Sequence, residues 1–332
     1  MIKTVIVGYG YSAKTFHLPF LTLNNAFDVV GFVSSRPEEI LATYPVTQIF
    51  SQLSECLQRL KPDLVIVTTP NHLHFSQAKS ALLAGAHVVV EKPFTLNTAE
   101  ARELIELARR QQKKLTVFHN RRWDGDFLTV KKLISSGKLG EVKIFESRFD
   151  RFRPQIRNRW RENAGPGSGI FWDLAPHLID QAITLFGLPI NTNSQLYTLR
   201  KSGESTDAFH LTLSYPDKVV YLSSSPFQAG DNERFNIQGT LGSFRKYGLD
   251  PQETQLKQGL TPGTDEWGMD KLEYYGTLFT ELEKNSLKTE IGCYEQFFLQ
   301  LENSILNNDD EPVIPETIIP VIEMIENSIT SI

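Results

Sequence analysis

The sequence predicts an α/β protein in two parts. A doubly wound parallel sheet spans residues 1–120, and an α+β domain with a large, open, mainly antiparallel sheet spans residues 121–332. Three observations predict it. In the first third, short β-branched runs, nearly continuous in apolar residues, alternate with amphipathic segments, as buried parallel strands and their crossover helices do. A Gly-x-Gly-x-x-Ala stretch follows the first of these runs. Past about residue 120, strand-like segments succeed one another without helices between them.

The buried strands are expected at Ile2–Val7, Val29–Val33, Leu64–Thr68, Val88–Val90 and Leu115–Phe118. Helical spacing falls on Gln52–Leu60, Ser76–Ala84 and Thr98–Gln111. In the last, Ala101, Leu104, Ile105 and Ala108 form one apolar face while Arg102, Glu103 and Glu106 take the other. In the second part, Lys143–Phe152 reads as a strand, and a Gly/Pro-rich loop at Ala164–Gly169 leads to a helix near Leu174–Phe186. Strands follow at Gln195–Arg200, Ala208–Tyr215, Val219–Ser225, Phe235–Gly239 and Ser243–Tyr247, their Ser/Thr-rich alternation that of a half-buried sheet. Tyr274–Leu282, Tyr294–Leu306 and Pro315–Ile329 read as helices.

Gly8-Tyr9-Gly10-Tyr11-Ser12-Ala13 directly follows a strand and opens a helix. The first glycine makes the tight turn and the second lets backbone approach a pyrophosphate. The small third position permits close helix–strand packing, with the helix N-terminus facing the phosphates. Gly8, Gly10, Tyr11, Ser12 and Ala13 are therefore expected to hold a dinucleotide, as in a Rossmann fold. Pro19 sits inside the helix that follows and should shorten or kink it. An NAD site usually places an acid at the carboxyl end of the second strand, on the ribose 2′-hydroxyl. Asp28 stands at the wrong end. Ser34, Ser35 and Arg36 stand at the right one, and their hydroxyls and guanidinium suit a phosphate with no carboxylate among them. NADP(H) is the favoured cofactor, with NAD(H) left open.

Ligands of open α/β sheets bind beyond the carboxyl ends of the strands. Thr69, Pro70, Asn71 and His74 follow one such end, Glu91 and Lys92 another, and His119 and Asn120 a third. A lysine before proline is held extended and aimed into that crevice, where desolvation would suit it to proton work.

These residues resemble the Gfo/Idh/MocA oxidoreductases, named for glucose–fructose oxidoreductase and inositol dehydrogenase. The match covers essentially the whole chain. It rests on Gly8–Ala13, on Thr69-Pro70-Asn71-His72-x-His74, on Glu91-Lys92-Pro93 and on Trp172-Asp173-Leu174-Ala175-Pro176-His177-Leu178-Ile179-Asp180. Within the family, Gly8-Tyr9-Gly10, Lys14-Thr15-Phe16-His17 and Phe149-Asp150-Arg151-Phe152-Arg153-Pro154 look most like a group containing NADP-dependent scyllo-inositol dehydrogenases. The resemblance implies that Lys92 is the catalytic lysine, touching substrate hydroxyl and nicotinamide ribose. It implies that His177 exchanges the hydroxyl proton and that Asp173 orients substrate and tunes the lysine. Pro70, Asn71 and His74 would line the cofactor, and Asn120 would touch its nicotinamide end. Relatives differ in whether lysine or histidine is the base, and both stay open. Ala175, where many relatives carry glycine, is a departure with no expected chemical effect.

The substrate expected is a neutral polyol or cyclic sugar, inositols first, held by Arg153, Asn158 and Trp160 with Lys92, Asp173 and His177. Arginines here, Arg159 included, also admit a rival bearing carboxylate or phosphate, which a guanidinium holds bidentately. Two further alternatives are reduction of an acidic or phosphorylated keto-sugar and a non-catalytic dinucleotide-binding sensor. Retention of Lys92, Asp173 and His177 argues against the sensor.

Of the 332 residues, 40% are hydrophobic and 22% charged, ordinary globular composition. With 34 Lys and Arg against 39 Asp and Glu, the net charge of −5 argues against nucleic acid or an anionic membrane as partner. No apolar run approaches the ~18 residues of a membrane helix. The N-terminal apolar stretch is too short for a signal peptide. Cys56 and Cys293 fit neither a disulfide framework nor a metal site, and the expected location is the cytoplasm. No metal is expected, since no further ligand completes His72 and His74. His17, His87 and His210 are assigned structural roles, and Arg121-Arg122 a solvated helix entry. Trp160, Trp172 and Trp267 are either core or sugar-site walls. The second sheet has too few helices to cover both faces, and apolar alternation on the bare face predicts a homodimer or homotetramer through it.

Overall fold

The computed structural model describes residues 1–157 and 159–330. Asn158, one of the expected substrate contacts, lies outside the described residues. The chain forms two compact units. The first comprises Met1–His119, Glu253–Thr264 and Glu295–Ile322, and the second Asn120–Gln252, Asp265–Tyr294 and Glu323–Ile332.

The first unit is built on β1 (Ile2–Val7), β2 (Phe27–Val33), β3 (Gln48–Phe50), β4 (Leu64–Val67), β5 (His87–Val90) and β6 (Leu115–Val117), in the order β3-β2-β1-β4-β5-β6. All its pairs are parallel, and the register puts Val33, Val7, Val67, Val90 and Val117 in one row across the sheet. The residues that follow them share one edge, which is why chemistry scattered over 110 residues can gather there. β3 has only three residues and no apolar run to announce it. Helices Leu53–Leu60, His74–Leu83 and Thr98–Arg110 match the expected spacing. Asn97 caps the last, its side-chain oxygen accepting from the Glu100 amide at 2.9 Å.

Pro19 divides the helix after the glycine loop. It falls in the first turn of a short helix, Leu18–Leu23, and the preceding Ala13–His17 winds as a π-helical turn. Proline lacks an amide hydrogen and cannot continue the regular ladder, so the backbone widens before it. The late segment Glu295–Asn307 completes this core. Phe298 stacks on Phe20 with ring centroids 5.1 Å apart, and Phe297 meets Phe118 edge-on at 4.8 Å.

The second unit holds β7 (Val142–Arg148), β8 (Asn191–Tyr197), β9 (Ala208–Ser214), β10 (Val219–Ser224), β11 (Glu233–Gly239), β12 (Ser243–Tyr247), β13 (Gly276–Phe279) and β14 (Lys284–Leu287). Their order is β14-β13-β12-β11-β7-β10-β9-β8, antiparallel throughout except for β7 beside β10. Tyr274–Leu282 is not the helix its spacing predicts. Gly276 and Leu278 point inward while Thr277 and Phe279 stay half-exposed, a period of two that only a strand produces. The strand expected at Gln195–Arg200 sits earlier, and Arg200 belongs to the turn after it. The long helix Gly169–Phe186 packs on β9 and β10. The other face carries Glu146, Arg148, His210 and Tyr221, more polar than the alternation predicts.

Arg121 and Arg122 are not solvated. Arg121 is buried, 3.2 Å from Asp124 and over the Phe149 ring, and Arg122 grips Asp180 with two hydrogen bonds of 2.9 and 2.6 Å. Trp172 and Trp267 are core residues.

Arg234 on β11 is wholly buried. It donates to Ser147 on β7, to Gln181 Oε1 on the long helix at 2.6 Å, and lies 3.4 Å from Asp126. Removing one partner of a buried pair leaves an uncompensated charge and costs about 3–5 kcal/mol. Arg234→Met is therefore expected to lose stability of that order in denaturant titration, whereas a loss below about 1 kcal/mol would contradict the role given to this pair.

Candidate active site

The carboxyl edge of the first sheet is assembled around the glycine loop. Gly8 has φ 98°, a left-handed conformation, and a Cβ there would stand 2.9 Å from Oγ1 of Thr68. Among the described residues nothing lies within 4 Å of where a Gly10 Cβ would be, so the loop is open on that side. A turn only glycine can make, beside bare accessible backbone, fits a pyrophosphate. Ala13 is fully buried against the sheet. Tyr11 is half-exposed, its hydroxyl donating to Glu253 at 2.7 Å; burial, with Glu253 nearby, pushes its pKa up despite Lys257.

Glu91 joins this loop to Lys92. Its carboxylate is buried and accepts from the Ser12 hydroxyl, from His17 Nε2 at 2.8 Å and from the Lys92 amide at 3.1 Å. Burial by itself pushes the Glu91 carboxyl up. The hydrogen bond and charge of His17, the Ser12 hydroxyl and the Lys92 charge outweigh it, and the carboxyl ends below its ordinary value. The Ser12 side chain is thus committed to Glu91, leaving its backbone to face a ligand. His17, fully buried 4.2 Å from the Phe118 ring, is structural as expected, and the structure it supports is this node. Lys92 itself is half-buried.

The neighbouring loop is fixed by His74. It is buried, with Nδ1 2.7 Å from the Pro93 carbonyl and Nε2 2.9 Å from that of Thr69. Its ring ties the Thr69–Pro70 and Lys92–Pro93 segments together. Thr69 donates to Gln77 at 2.6 Å, and Asn71 is buried at the start of a 3₁₀ turn. His72 is exposed.

Ser34, Ser35 and Arg36 follow β2 at the same edge, and the Ser34 hydroxyl accepts from the Arg36 amide at 3.1 Å. One correction applies. The helix Pro37–Thr43 returns Glu39 to within 3.6 Å of Arg36, so a carboxylate does stand there. Lys14 shares it at 2.6 Å and, chiefly through that hydrogen bond, holds the Glu39 carboxyl below its ordinary value. Two cations against one carboxylate still favour an anion.

In the second unit the helix carrying Asp173 and His177 begins at Gly169, so both residues lie within it, four apart on one face. Gln181, one turn further, donates to the Arg121 carbonyl at 2.8 Å and accepts from Arg234, which fixes the rotation of that face. His177 is buried, Asp173 half-buried. Asp173 lines a pocket together with Arg151, Arg153, Arg159, Arg161 and Arg200. Arg153 was expected there. Arg151, Arg161 and Arg200 were not, and Arg200 carries no local signal because it arrives from 40 residues along the chain. Trp160, exposed, lies on the 3₁₀ turn between Arg159 and Glu162, with the Arg161 guanidinium 5.1 Å from its ring. Asn120 is buried at the start of another 3₁₀ turn.

A carboxyl whose folded pKa lies below its unfolded one adds stability above the ordinary glutamate value, about 4.3, and loses it as pH falls. Glu91→Gln removes that share. The variant's thermal midpoint is therefore expected to fall less than the wild type's between about pH 7 and pH 3, and parallel curves would contradict the charged state assigned to Glu91.

Comparison with known proteins agrees with this geometry. Residues 2–119 match the Gfo/Idh/MocA oxidoreductase family's NAD-binding Rossmann fold, and residues 131–332 its C-terminal alpha/beta domain. The chain is 44% identical over 332 residues to the uncharacterized oxidoreductase YdgJ of Escherichia coli K12, covering 99% of this chain and 96% of that one. It is 38% identical over 335 residues to the Bacillus subtilis scyllo-inositol 2-dehydrogenase (NADP(+)) IolW, covering 99% and 93%. Among solved structures, the Bacillus subtilis oxidoreductase YvaA superposes with a TM-score of 0.95 at 37% identity, covering 99% and 95%. The chain belongs to the Gfo/Idh/MocA family of oxidoreductases.

Proposed function

We propose that the protein is an NADP-dependent dehydrogenase that moves a hydride between the nicotinamide and a secondary alcohol or ketone of a polyol or cyclic sugar. The observation that carries this reading is the Glu91 node. It accepts from Ser12 of the glycine loop and from the backbone of Lys92 through one carboxylate, so cofactor loop and lysine are set together. The name of the 38%-identical IolW, an NADP-dependent inositol dehydrogenase, supports both the cofactor and the alcohol chemistry.

When bound, the nicotinamide supplies the hydride acceptor at its C4. The chain supplies the rest. Gly8 and Gly10 give the pyrophosphate bare backbone, and Arg36 and Lys14 give a 2′-phosphate its cations. Lys92 holds the reacting hydroxyl, His177 exchanges its proton and Asp173 orients the ring carrying it. Held through Gln181 by Arg234 and the Arg121 carbonyl, the helix bearing the last two cannot rotate them away.

Lys92→Ala, Asp173→Ala and His177→Ala are each expected to lower kcat by about 10²–10⁴-fold while cofactor binding, read by NADPH fluorescence, persists. Near-normal turnover in Lys92→Ala would remove the proposal. Arg36→Ala should raise the KM for NADP and leave that for NAD nearly unchanged. Equal effects on both cofactors would refute the 2′-phosphate assignment.

A further inference from the structure

The segment Glu253–Thr264 belongs to the first unit, although the chain on either side of it belongs to the second. The short helix Gln252–Lys257 opens it and is properly closed. Gly259 takes the left-handed conformation, φ 83°, and its amide and that of Leu260 donate back to the Leu256 and Gln255 carbonyls at 3.1 and 3.0 Å. The segment is therefore a built element and not a slack connection.

It rests on the residue that follows the second glycine of the cofactor loop. The Tyr11 hydroxyl, 242 residues away along the chain, donates to Glu253 Oε1 at 2.7 Å. Lys257 Nζ donates to the same oxygen at 2.8 Å. Glu253 and Lys257 stand four apart on the helix with the acid first, the favourable order, and the pair adds no net charge of its own beside the loop. The Lys257 ammonium lies 5.3 Å from the Tyr11 ring centroid, and the Phe16 ring meets that ring edge-on at 5.7 Å. Tyr11 is thus held at its hydroxyl and across its ring. Phe16 shares its π-helical turn with His17, which binds Glu91, so this hold continues into the Glu91 node.

Gly8 and Gly10 are the residues whose bare backbone suits a pyrophosphate. Glycine has the widest backbone freedom, so a loop built on it loses the most conformational entropy when it orders around a ligand. Fixing Tyr11 removes part of that freedom in advance, which is preorganisation.

We propose that Tyr11 and Glu253, braced by Lys257, form a latch that positions the glycine loop and slows the escape of a bound dinucleotide. Glu253 and Lys257 are positioning residues, acting through Tyr11. The inference rests on the dinucleotide site and extends it to a segment outside the glycine motif.

The test is the release of NADPH from the protein, chased with excess NADP, and separately of NADH chased with excess NAD, each followed by stopped-flow fluorescence. Tyr11→Phe, which removes only the hydroxyl, and Glu253→Ala are each expected to speed release about three- to ten-fold, the share of one hydrogen bond. Both dinucleotides should respond alike, because the loop serves the pyrophosphate they have in common. The double variant should release no faster than the faster single one, as the two ends of one interaction do. Glu253→Gln, whose amide oxygen still accepts from the phenol, should fall between the wild type and Glu253→Ala. The rise in thermal midpoint on adding NADPH should shrink in Tyr11→Phe, whereas a merely structural role would lower the free and loaded midpoints together. Unchanged release in the single variants, effects that add in the double variant, or an unchanged rise in midpoint would overturn the latch and leave the dinucleotide site standing. Wild-type protein that binds neither NADPH nor NADH would overturn the site and the latch with it.

Discussion

Glu91 keeps its negative charge inside the first unit, where burial would otherwise drive its carboxyl toward the neutral form. It does so because three donors converge on it: the Ser12 hydroxyl, the His17 ring and the Lys92 amide. Those donors come from two different strand ends, so the carboxylate works as a clamp between β1 and β5. Lose the charge and the glycine loop and Lys92 are no longer referred to one another. The π-helical turn ahead of Pro19 belongs to the same arrangement, since it carries His17 to the sheet.

A second constraint of the same kind operates in the other unit. The helix of Asp173 and His177 is bound at Gln181 by Arg234 and the Arg121 carbonyl, and at Asp180 by Arg122. Buried charges of this sort are costly to desolvate and add little net stability, while fixing one orientation against its alternatives. Here the orientation fixed is the face that presents Asp173 and His177. Both units thus hold these polar candidate residues with buried polar networks rather than with apolar packing alone.

The parallel sheet was legible because strands covered on both faces leave a signature in apolar composition. The glycine loop, Lys92, Asp173 and His177 stand out as candidates because each sits in a compact motif. What escaped reading depends on distance along the chain or on local geometry. Glu39 returns beside Arg36 only because a helix starts at Pro37, and Arg200 reaches its pocket from beyond a strand. The strand at Gly276–Phe279 carries apolar residues that suit either period, and strand pairing decides between them. Arg121 and Arg122 look like a solvated pair until Asp124 and Asp180 arrive from the fold.

The arrangement amounts to a cofactor loop and lysine held by one carboxylate, a histidine–aspartate face held by another ion-pair network, and an arginine-lined pocket beside it. The chemical content of the proposed function is direct hydride transfer from a carbinol carbon. The most direct measurement follows a deuterium label. With ring substrates deuterated at the carbinol carbons, a neutral inositol and myo-inositol 1-phosphate alike, the protein is incubated with NADP and the nicotinamide is read by NMR. Deuterium at C4, on a single face of the ring and with no exchange into water, is the result the account predicts. Turnover that leaves C4 unlabelled, or that releases the label to solvent, would contradict it.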